Sequence, residues 1–353
     1  MERAIYRIID ANFNRAREAI RVIEDYCRFA LNSTVLCGRA KELRHRLSRA
    51  IKQLDTGRLL SCRDTILDVG VGQKVQNQLT RIDLNECLTA GCKRLSEALR
   101  SLAEATQTIN GTVAGIIEDV RYDSYTLEKD IFLFSEPSEK FRNTSLYIVI
   151  TSDLPEEIIY LTQQCAAGGA DCIQMRTKAM DDDKLIATAE KFVQISRDSG
   201  AISIINDRVD IAVAAGADGA HLGQNDLPVD YARRLQLTPL IIGKSTHSLS
   251  QLRAACDECP TYVSLGPVFA TGTKPQVKPV GLEYLEQAIP MLVNNGIGHV
   301  AIGGITQDNV GKVISAGARC ISVCSAVTKA VDPKAACEAL KAKIVSLTGE
   351  SGI

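Results

Sequence analysis

Ser203-Ile204-Ile205-Asn206-Asp207-Arg208-Val209-Asp210 is a short apolar run that ends on an amide and an acid. One short helical stretch later comes Asp218-Gly219-Ala220-His221-Leu222-Gly223-Gln224-Asn225-Asp226, a second apolar run leading to an acid. Both runs have the length of buried strands, with a helix between them. If the strands are parallel neighbours, Asp207 and Asp226 fall on the same rim of a sheet. Adjacent strands lie roughly 4.8 Å apart, close enough for two carboxylates to share a small hard cation such as Mg²⁺. Two solvated loop acids are the plainer alternative.

Outward from this unit the same alternation repeats. Short apolar strands are predicted at 145–152, 172–176, 202–206, 219–223, 239–243, 261–266, 299–303 and 320–324. Helical stretches such as Pro155–Ala167, Asp181–Arg197 and Gly281–Asn294 lie between them, and a last helix runs over 332–346. Eight strands alternating with helices predict an α/β fold, a (β/α)8 TIM barrel over 145–353. An open doubly wound sheet would want a Gly-rich fingerprint after its first strand, and Ile150-Thr151-Ser152-Asp153-Leu154 is not one.

Residues 1–134 read as a small, mainly α-helical domain. Helices are predicted from the N-terminus to about Cys27, over Val35–Leu54, over Leu84–Thr108 and from Thr112 to about Lys129. Asp55-Thr56-Gly57 and Asp68-Val69-Gly70-Val71-Gly72 are turn-like breaks. Arg15, Glu18 and Arg21 recur as Arg94, Glu97 and Arg100, each with apolar neighbours. Two similar helices packed antiparallel are the simple outcome. Leu133-Phe134-Ser135-Glu136-Pro137-Ser138-Glu139-Lys140 mixes Pro, Ser and charge, and 135–144 is read as a linker.

The net charge of −1 offers no field for nucleic acid or a membrane, and no apolar run approaches the ~20 residues of a membrane span. The N-terminus enters a charged amphipathic pattern at once, so no signal peptide is expected. Twelve cysteines are scattered, many inside apolar runs, as reduced thiols of a cytoplasmic protein would be. Cys256-Asp257-Glu258-Cys259 has no second pair to make a zinc ribbon.

In a barrel the chemistry sits where strands end. Strand 2 ends in Gln174-Met175-Arg176-Thr177-Lys178. Alternation would put Gln174, Arg176 and Lys178 on one side, an amide and two cations suited to a diphosphate. Strand 5 ends in Gly243-Lys244-Ser245-Thr246-His247, and strand 6 leads to Ala270-Thr271-Gly272-Thr273-Lys274. Gly303-Gly304 after strand 7 and Cys324-Ser325 after strand 8 leave backbone N–H groups for a phosphate monoester. His221 lies within strand 4 and reads as a packed residue rather than a catalyst.

Taken in order, Gln-x-Arg-x-Lys, Asn-Asp-Arg-Val-Asp, Gly-Ala-Asp-Gly-x-His-Leu-Gly-Gln-x-Asp, Thr-Gly-Thr-Lys and Gly-Gly-Ile resemble the thiamine phosphate synthase family over about 145–350. That family joins hydroxymethylpyrimidine diphosphate to thiazole phosphate, giving thiamine phosphate and diphosphate. The resemblance implies that Gln174, Met175, Arg176, Thr177, Lys178, Asn206, Ser245 and Lys274 hold the pyrimidine diphosphate. Among these it casts Arg176, Lys178, Ser245 and Lys274 as catalytic. It implies Mg²⁺ on Asp207 and Asp226, and thiazole phosphate on Thr271, Gly272, Thr273, Gly304, Cys324 and Ser325. Cys324 stands where the family often has an aliphatic residue, which matters little if the contact is through its N–H.

The family's reaction is dissociative and needs no general base. A sister barrel tautomerises a thiazole carboxylate phosphate without a metal, and a precursor-binding regulator would keep the pocket without the chemistry. Neither needs both acids and the cationic row.

The first 130 residues resemble a small hydroxymethylpyrimidine phosphate kinase family. The likeness lies in Asp10-Ala11-Asn12-Phe13-Asn14-Arg15-Ala16-Arg17-Glu18, in Ile23-Glu24-Asp25, in Arg63-Asp64-Thr65 and in Asp68-Val69-Gly70. It implies ATP as a partner, with Glu18, Glu24, Asp64 and Asp68 as candidate metal acids. Residues 1–134 hold 16 Arg against 5 Lys, and Arg suits bidentate phosphate binding. No Walker loop is present. A helical dimerisation or docking module is the other reading, and a homo-oligomer is left open.

Overall fold

The computed structural model describes residues 1–66, 68–70, 80–236, 238–272 and 277–349. It divides into two compact units, Met1–Phe132 and Leu133–Ile353.

The first unit is helical. α1 (Glu2–Asp25) continues into a π-helical turn, Tyr26–Ala30, followed by α2 (Thr34–Ile51), α3 (Thr56–Ser61) and α4 (Leu84–Gln107). Each start after α1 is capped by a side chain: Ser33 accepts from Leu36 N–H, Asp55 from Arg58 N–H and Asp83 from Glu86 N–H. Gly91 of α4 packs on Val22 and Ile23 of α1, and the Tyr26 hydroxyl donates to Asn85. The start of α4 therefore meets the end of α1, and the two repeat-bearing helices run antiparallel. Ala16, Ala19, Ile20 and Ile23 are buried, as are Leu95, Ala98, Leu99 and Leu102. Arg15, Glu18, Arg94 and Glu97 are exposed.

α5 (Gly111–Phe141) runs on past the first unit. Its last residues overturn the predicted linker over 135–144. Pro137 lacks an N–H and costs an interior helix about 3 kcal/mol. Leu127, Ile131, Phe134 and Phe141 are buried at helical spacing, and each large apolar side chain is worth roughly 2 kcal/mol when buried. Burial outweighs the proline.

In the second unit eight strands close into a parallel barrel in sequence order, β1 pairing with β8. They are β1 (Leu146–Thr151), β2 (Cys172–Arg176), β3 (Ile202–Asn206), β4 (Gly219–Leu222), β5 (Ile241–Thr246), β6 (Tyr262–Leu265), β7 (Gly298–Ile302) and β8 (Ile321–Val323). The intervening helices are α6 (Pro155–Ala167), α7 (Asp182–Ser199), α8 (Val209–Ala215), α9 (Val229–Leu235), α10 (Leu249–Glu258), α11 (Gly281–Val293) and α12 (Val310–Ser315). After β8 come α13 (Ser325–Thr328) and α14 (Pro333–Thr348).

Alternation sorts each strand. Tyr147, Val149, Cys172, Ile202, Ile204, Ile241, Tyr262, Val300 and Cys320 fill the interior. Phe141 joins them, its ring stacked on Tyr262 at 4.4 Å between centroids. β5 starts two residues later than predicted, because the apolar look of Pro239-Leu240 belongs to the approach and not to the ladder. Lys244 and Ser245 consequently lie inside the strand and face opposite ways.

At the rim where strands begin, Asp171 accepts from Ser145 N–H (2.9 Å), Ser145 Oγ (2.9 Å) and Leu146 N–H (2.8 Å), and Lys341 pairs with it. Asp218 repeats the device two strands on. It accepts from Ser203 N–H and Oγ at 2.8 Å each and pairs with Lys140. Among the described residues no helix is long and apolar enough to cross a membrane.

Candidate functional site

A cavity of about 250 Å³ opens at the rim where the strands end. Each wall can be traced to a strand.

β2 contributes Gln174 and Arg176, both lining the cavity. Met175 points the other way and is buried. The strand stops at Arg176, so Lys178 lies on an exposed loop and is absent from the lining, as is Thr177. The loop is tied down by Asp153, whose carboxylate accepts from Lys178 N–H at 2.6 Å and Ala179 N–H at 3.1 Å. Those two donors hold Asp153 below the usual carboxylate range. Arg176 Nη1 is buried without a hydrogen-bond partner. A buried guanidinium nitrogen left so is costly unless an anion meets it.

β3 and β4 contribute the acids. Asn206 ends β3 and lines the cavity; Asp207 follows with φ of 61°, in the left-handed region that Asp tolerates better than most residues. Its N–H donates to the His221 carbonyl at 2.8 Å, so the main chain hooks onto β4 and the residue lines the cavity. Asp226 faces the same space, one carboxylate oxygen accepting from Gly223 N–H at 2.6 Å. Arg208, also in this motif, turns outward to Asp182 and Asp210 at 2.6 Å each.

Among the described residues no three His, Cys, Asp or Glu side chains converge as a complete metal cage. Two carboxylates on one wall fit a cation that takes its other ligands from phosphate oxygens and water, the habit of Mg²⁺.

β5 and β6 contribute Ser245 and Ser264. Lys244 faces outward, buried, with Glu258 of α10 at 3.9 Å. The loop after β6 brings Thr271 to the cavity but not Gly272. Thr273 and Lys274 lie outside the described residues.

β7 and β8 contribute Gly303, Gly304, Cys324 and Ser325. Gly304 has φ of 64°, and a Cβ there would stand 2.4 Å from the Ala270 carbonyl oxygen. Its own carbonyl accepts from Asn309 Nδ2 at 2.9 Å. Ser325 opens α13, whose Val327 and Thr328 N–H groups both donate to the Cys324 carbonyl at 3.0 Å, so that the Ser325 and Ala326 N–H groups stand outside that pairing. Ser322 Oγ, also in the lining, is buried without a partner.

Sequence reasoning passed over several lining groups. His221 and His247 both reach the cavity, as do Ser264, Thr306 and Ser322. The alternation that singled out Gln174 would have found Ser264 and Ser322. His221 sits at strand parity with Asn206 in register, a signal available once the pairing is known.

In the first unit the candidate acids separate. Glu24 is buried and held by Arg44 at 2.9 Å and Arg21 at 3.5 Å, as a structural pair. Glu18 and Asp68 are exposed, and Asp64 pairs with Arg3 at 3.6 Å. Asp10 is buried and takes both ends of the Arg63 guanidinium, at 2.7 and 2.8 Å.

Residues 146–327 match the thiamine monophosphate synthase family, and residues 7–130 match the ThiD2 family. The chain is 37% identical over 331 residues to a thiamine-phosphate synthase of Synechocystis sp., spanning 94% of this chain and 93% of that protein. A thiamine-phosphate synthase of Thermosynechococcus vestitus is 36% identical over 93% of this chain and 92% of that one. A solved structure, the thiamine phosphate pyrophosphorylase of Pyrococcus furiosus, is 33% identical with a TM-score of 0.54, covering 59% of this chain and 98% of that chain.

Proposed function

The chain belongs to the thiamine-phosphate synthase family and so to thiamine biosynthesis, and from that premise we propose a two-step role. The barrel condenses hydroxymethylpyrimidine diphosphate with thiazole phosphate, and the N-terminal unit makes the diphosphate from the pyrimidine monophosphate.

The observation that carries the barrel reading is the buried, unpartnered Arg176 Nη1 in a cavity that also holds Asp207 and Asp226. Arg176 would take a diphosphate oxygen. Asp207 and Asp226 would hold Mg²⁺, which when bound neutralises charge on the leaving diphosphate. Gly304 and Ser325, on the strand 7 and 8 side, would hold the thiazole phosphate through N–H groups.

The pyrimidine C–O bond breaks, its electron pair leaving with the diphosphate, and the thiazole nitrogen lends its lone pair to the resulting cation. Stabilising the leaving group and aligning the nucleophile are the protein's tasks. No proton has to be removed for bond formation. This agrees with the two cavity histidines being engaged: His221 bonds through both nitrogens, and His247 Nδ1 meets the Gly266 carbonyl.

For the first unit the ThiD2 match and the arginine excess support a phosphate-handling role. One experiment tests both halves on the full chain. Wild type given ATP, Mg²⁺, pyrimidine monophosphate and thiazole phosphate should release thiamine phosphate. Asp207→Asn under the same conditions should accumulate the pyrimidine diphosphate instead. No diphosphate from either protein returns the first unit to a docking module.

A further inference from the structure

Five side chains from five strands form one hydrogen-bonded chain through the barrel interior. Gln174 Nε2 donates to the Tyr147 hydroxyl at 2.8 Å. The Tyr147 and Tyr262 hydroxyls lie 2.8 Å apart, and Tyr262 is 3.0 Å from His221 Nδ1. His221 Nε2 is 2.8 Å from Ser245 Oγ. The two ends, Gln174 and Ser245, line the cavity. The tyrosines lie beneath it in the core.

Proton counting gives the chain a direction. The Tyr147 oxygen accepts from Gln174, so its single proton goes to Tyr262. The Tyr262 proton then goes to His221 Nδ1. A neutral imidazole with Nδ1 as acceptor carries its hydrogen on Nε2 and donates it to Ser245. Ser264 Oγ approaches Ser245 Oγ as a second donor at 3.5 Å. With its lone pairs engaged, Ser245 has its own proton left for the cavity. At the other end one Gln174 N–H is spent on Tyr147, which fixes the amide plane and leaves its carbonyl Oε1 and its second N–H.

The phenols keep their protons at neutral pH, since burial pushes both well above the usual tyrosine value. Packing fixes the middle of the chain. The Tyr262 ring stacks on Phe141 at 4.4 Å and on His221 at 5.6 Å between centroids. Gly243 has no Cβ where one would sit 2.2 Å from the Tyr262 ring and 2.5 Å from His221 Nδ1.

We propose that Tyr147, Tyr262 and His221 are positioning residues that set Gln174 as an acceptor and Ser245 as a donor toward the substrate. An N–H-bearing edge of a heteroaromatic ring fits Gln174 Oε1, and an anionic oxygen fits the Ser245 hydroxyl. The identity of that substrate rests on the synthase reading; the direction of the chain does not.

The test joins a spectroscopic readout to kinetics. ¹⁵N NMR of histidine-labelled full chain should find His221 as the Nε2–H tautomer, and an Nδ1–H tautomer overturns the proposal. Tyr262→Phe keeps the stacked ring and removes the relay. It should give a mixed His221 tautomer and raise KM for the pyrimidine diphosphate about tenfold, with KM for thiazole phosphate within about twofold. A single Nε2–H tautomer with unchanged KM in that variant also overturns it. Wild-type turnover judges the synthase reading separately, because the tautomer is read without turnover.

Discussion

Asp171 and Asp218 stand where barrel strands begin; Asp207 and Asp226 stand where they end. The first pair is consumed by structure. Asp171 gathers three donors from Ser145 and Leu146 plus the Lys341 ammonium, and Asp218 gathers two from Ser203 plus Lys140. Each staples its own strand to the one before. The second pair faces a cavity shared with Arg176, and Asp207 reaches it on a left-handed backbone. One side-chain type thus serves two ends of one barrel, and what separates the roles is what each residue faces: the first N–H and hydroxyl groups of the strand before, or the cavity. A saturated carboxylate has no capacity for a ligand.

This contrast can be broken by experiment. Asp207→Asn keeps the shape and the tolerance for positive φ. Thiamine phosphate formation should fall by roughly 10³-fold, with the thermal midpoint within about 2 °C of wild type. Near-normal turnover would remove the metal assignment. Gly304→Ala should lower kcat/KM for thiazole phosphate by roughly 30-fold, since its Cβ meets a carbonyl oxygen at a positive φ. If saturation kinetics show no change, the phosphate is not held there.

Asp171→Ala should do the reverse, lowering unfolding free energy by about 2–3 kcal/mol in urea titrations while kcat stays within about twofold. Loss of activity without loss of stability would dissolve the division between the rims.

The smallest effect concerns His299, at the strand-beginning rim, whose Nε2 accepts from Arg319 N–H at 3.0 Å. Burial and then the Arg319 charge lower its pKa from 6.5 to about 4. The unfolded chain therefore binds a proton in that interval that the fold does not, and stability falls as pH drops from 6.5 toward 4. Because the residue keeps some contact with solvent, the loss is expected to reach about 2 kcal/mol at most. His299→Gln should flatten that part of the stability profile relative to wild type.

The barrel was legible because strand and helix periods alternate cleanly from Leu146 onward, and βαβ units leave few other topologies. Asp207, Asp226, Gln174 and Arg176 were legible because strand ends are where a barrel exposes side chains. Lys178 was not, since the strand stops two residues earlier and the loop is drawn to Asp153. The helical course of 133–141 was hidden by Pro137, whose local cost is visible in sequence while the burial that offsets it is not. Tyr147 and Tyr262 read as ordinary apolar-strand residues. Their shared hydrogen bond depends on which strands face each other across the interior, and strand neighbours in sequence do not reveal that.

Gly243 bears on how such a barrel should be engineered. A glycine in mid-strand is a standard target for stabilisation, because a β-branched replacement suits the extended backbone and lowers the entropy of the unfolded chain. Here the rule inverts. A single added methyl would enter the Tyr262 ring and the His221 imidazole at once. A consensus or propensity-based redesign that fills this position would gain local strand preference and forfeit the buried polar relay. The position is better treated as fixed, and as an early check on whether a redesigned sequence keeps the interior this barrel has.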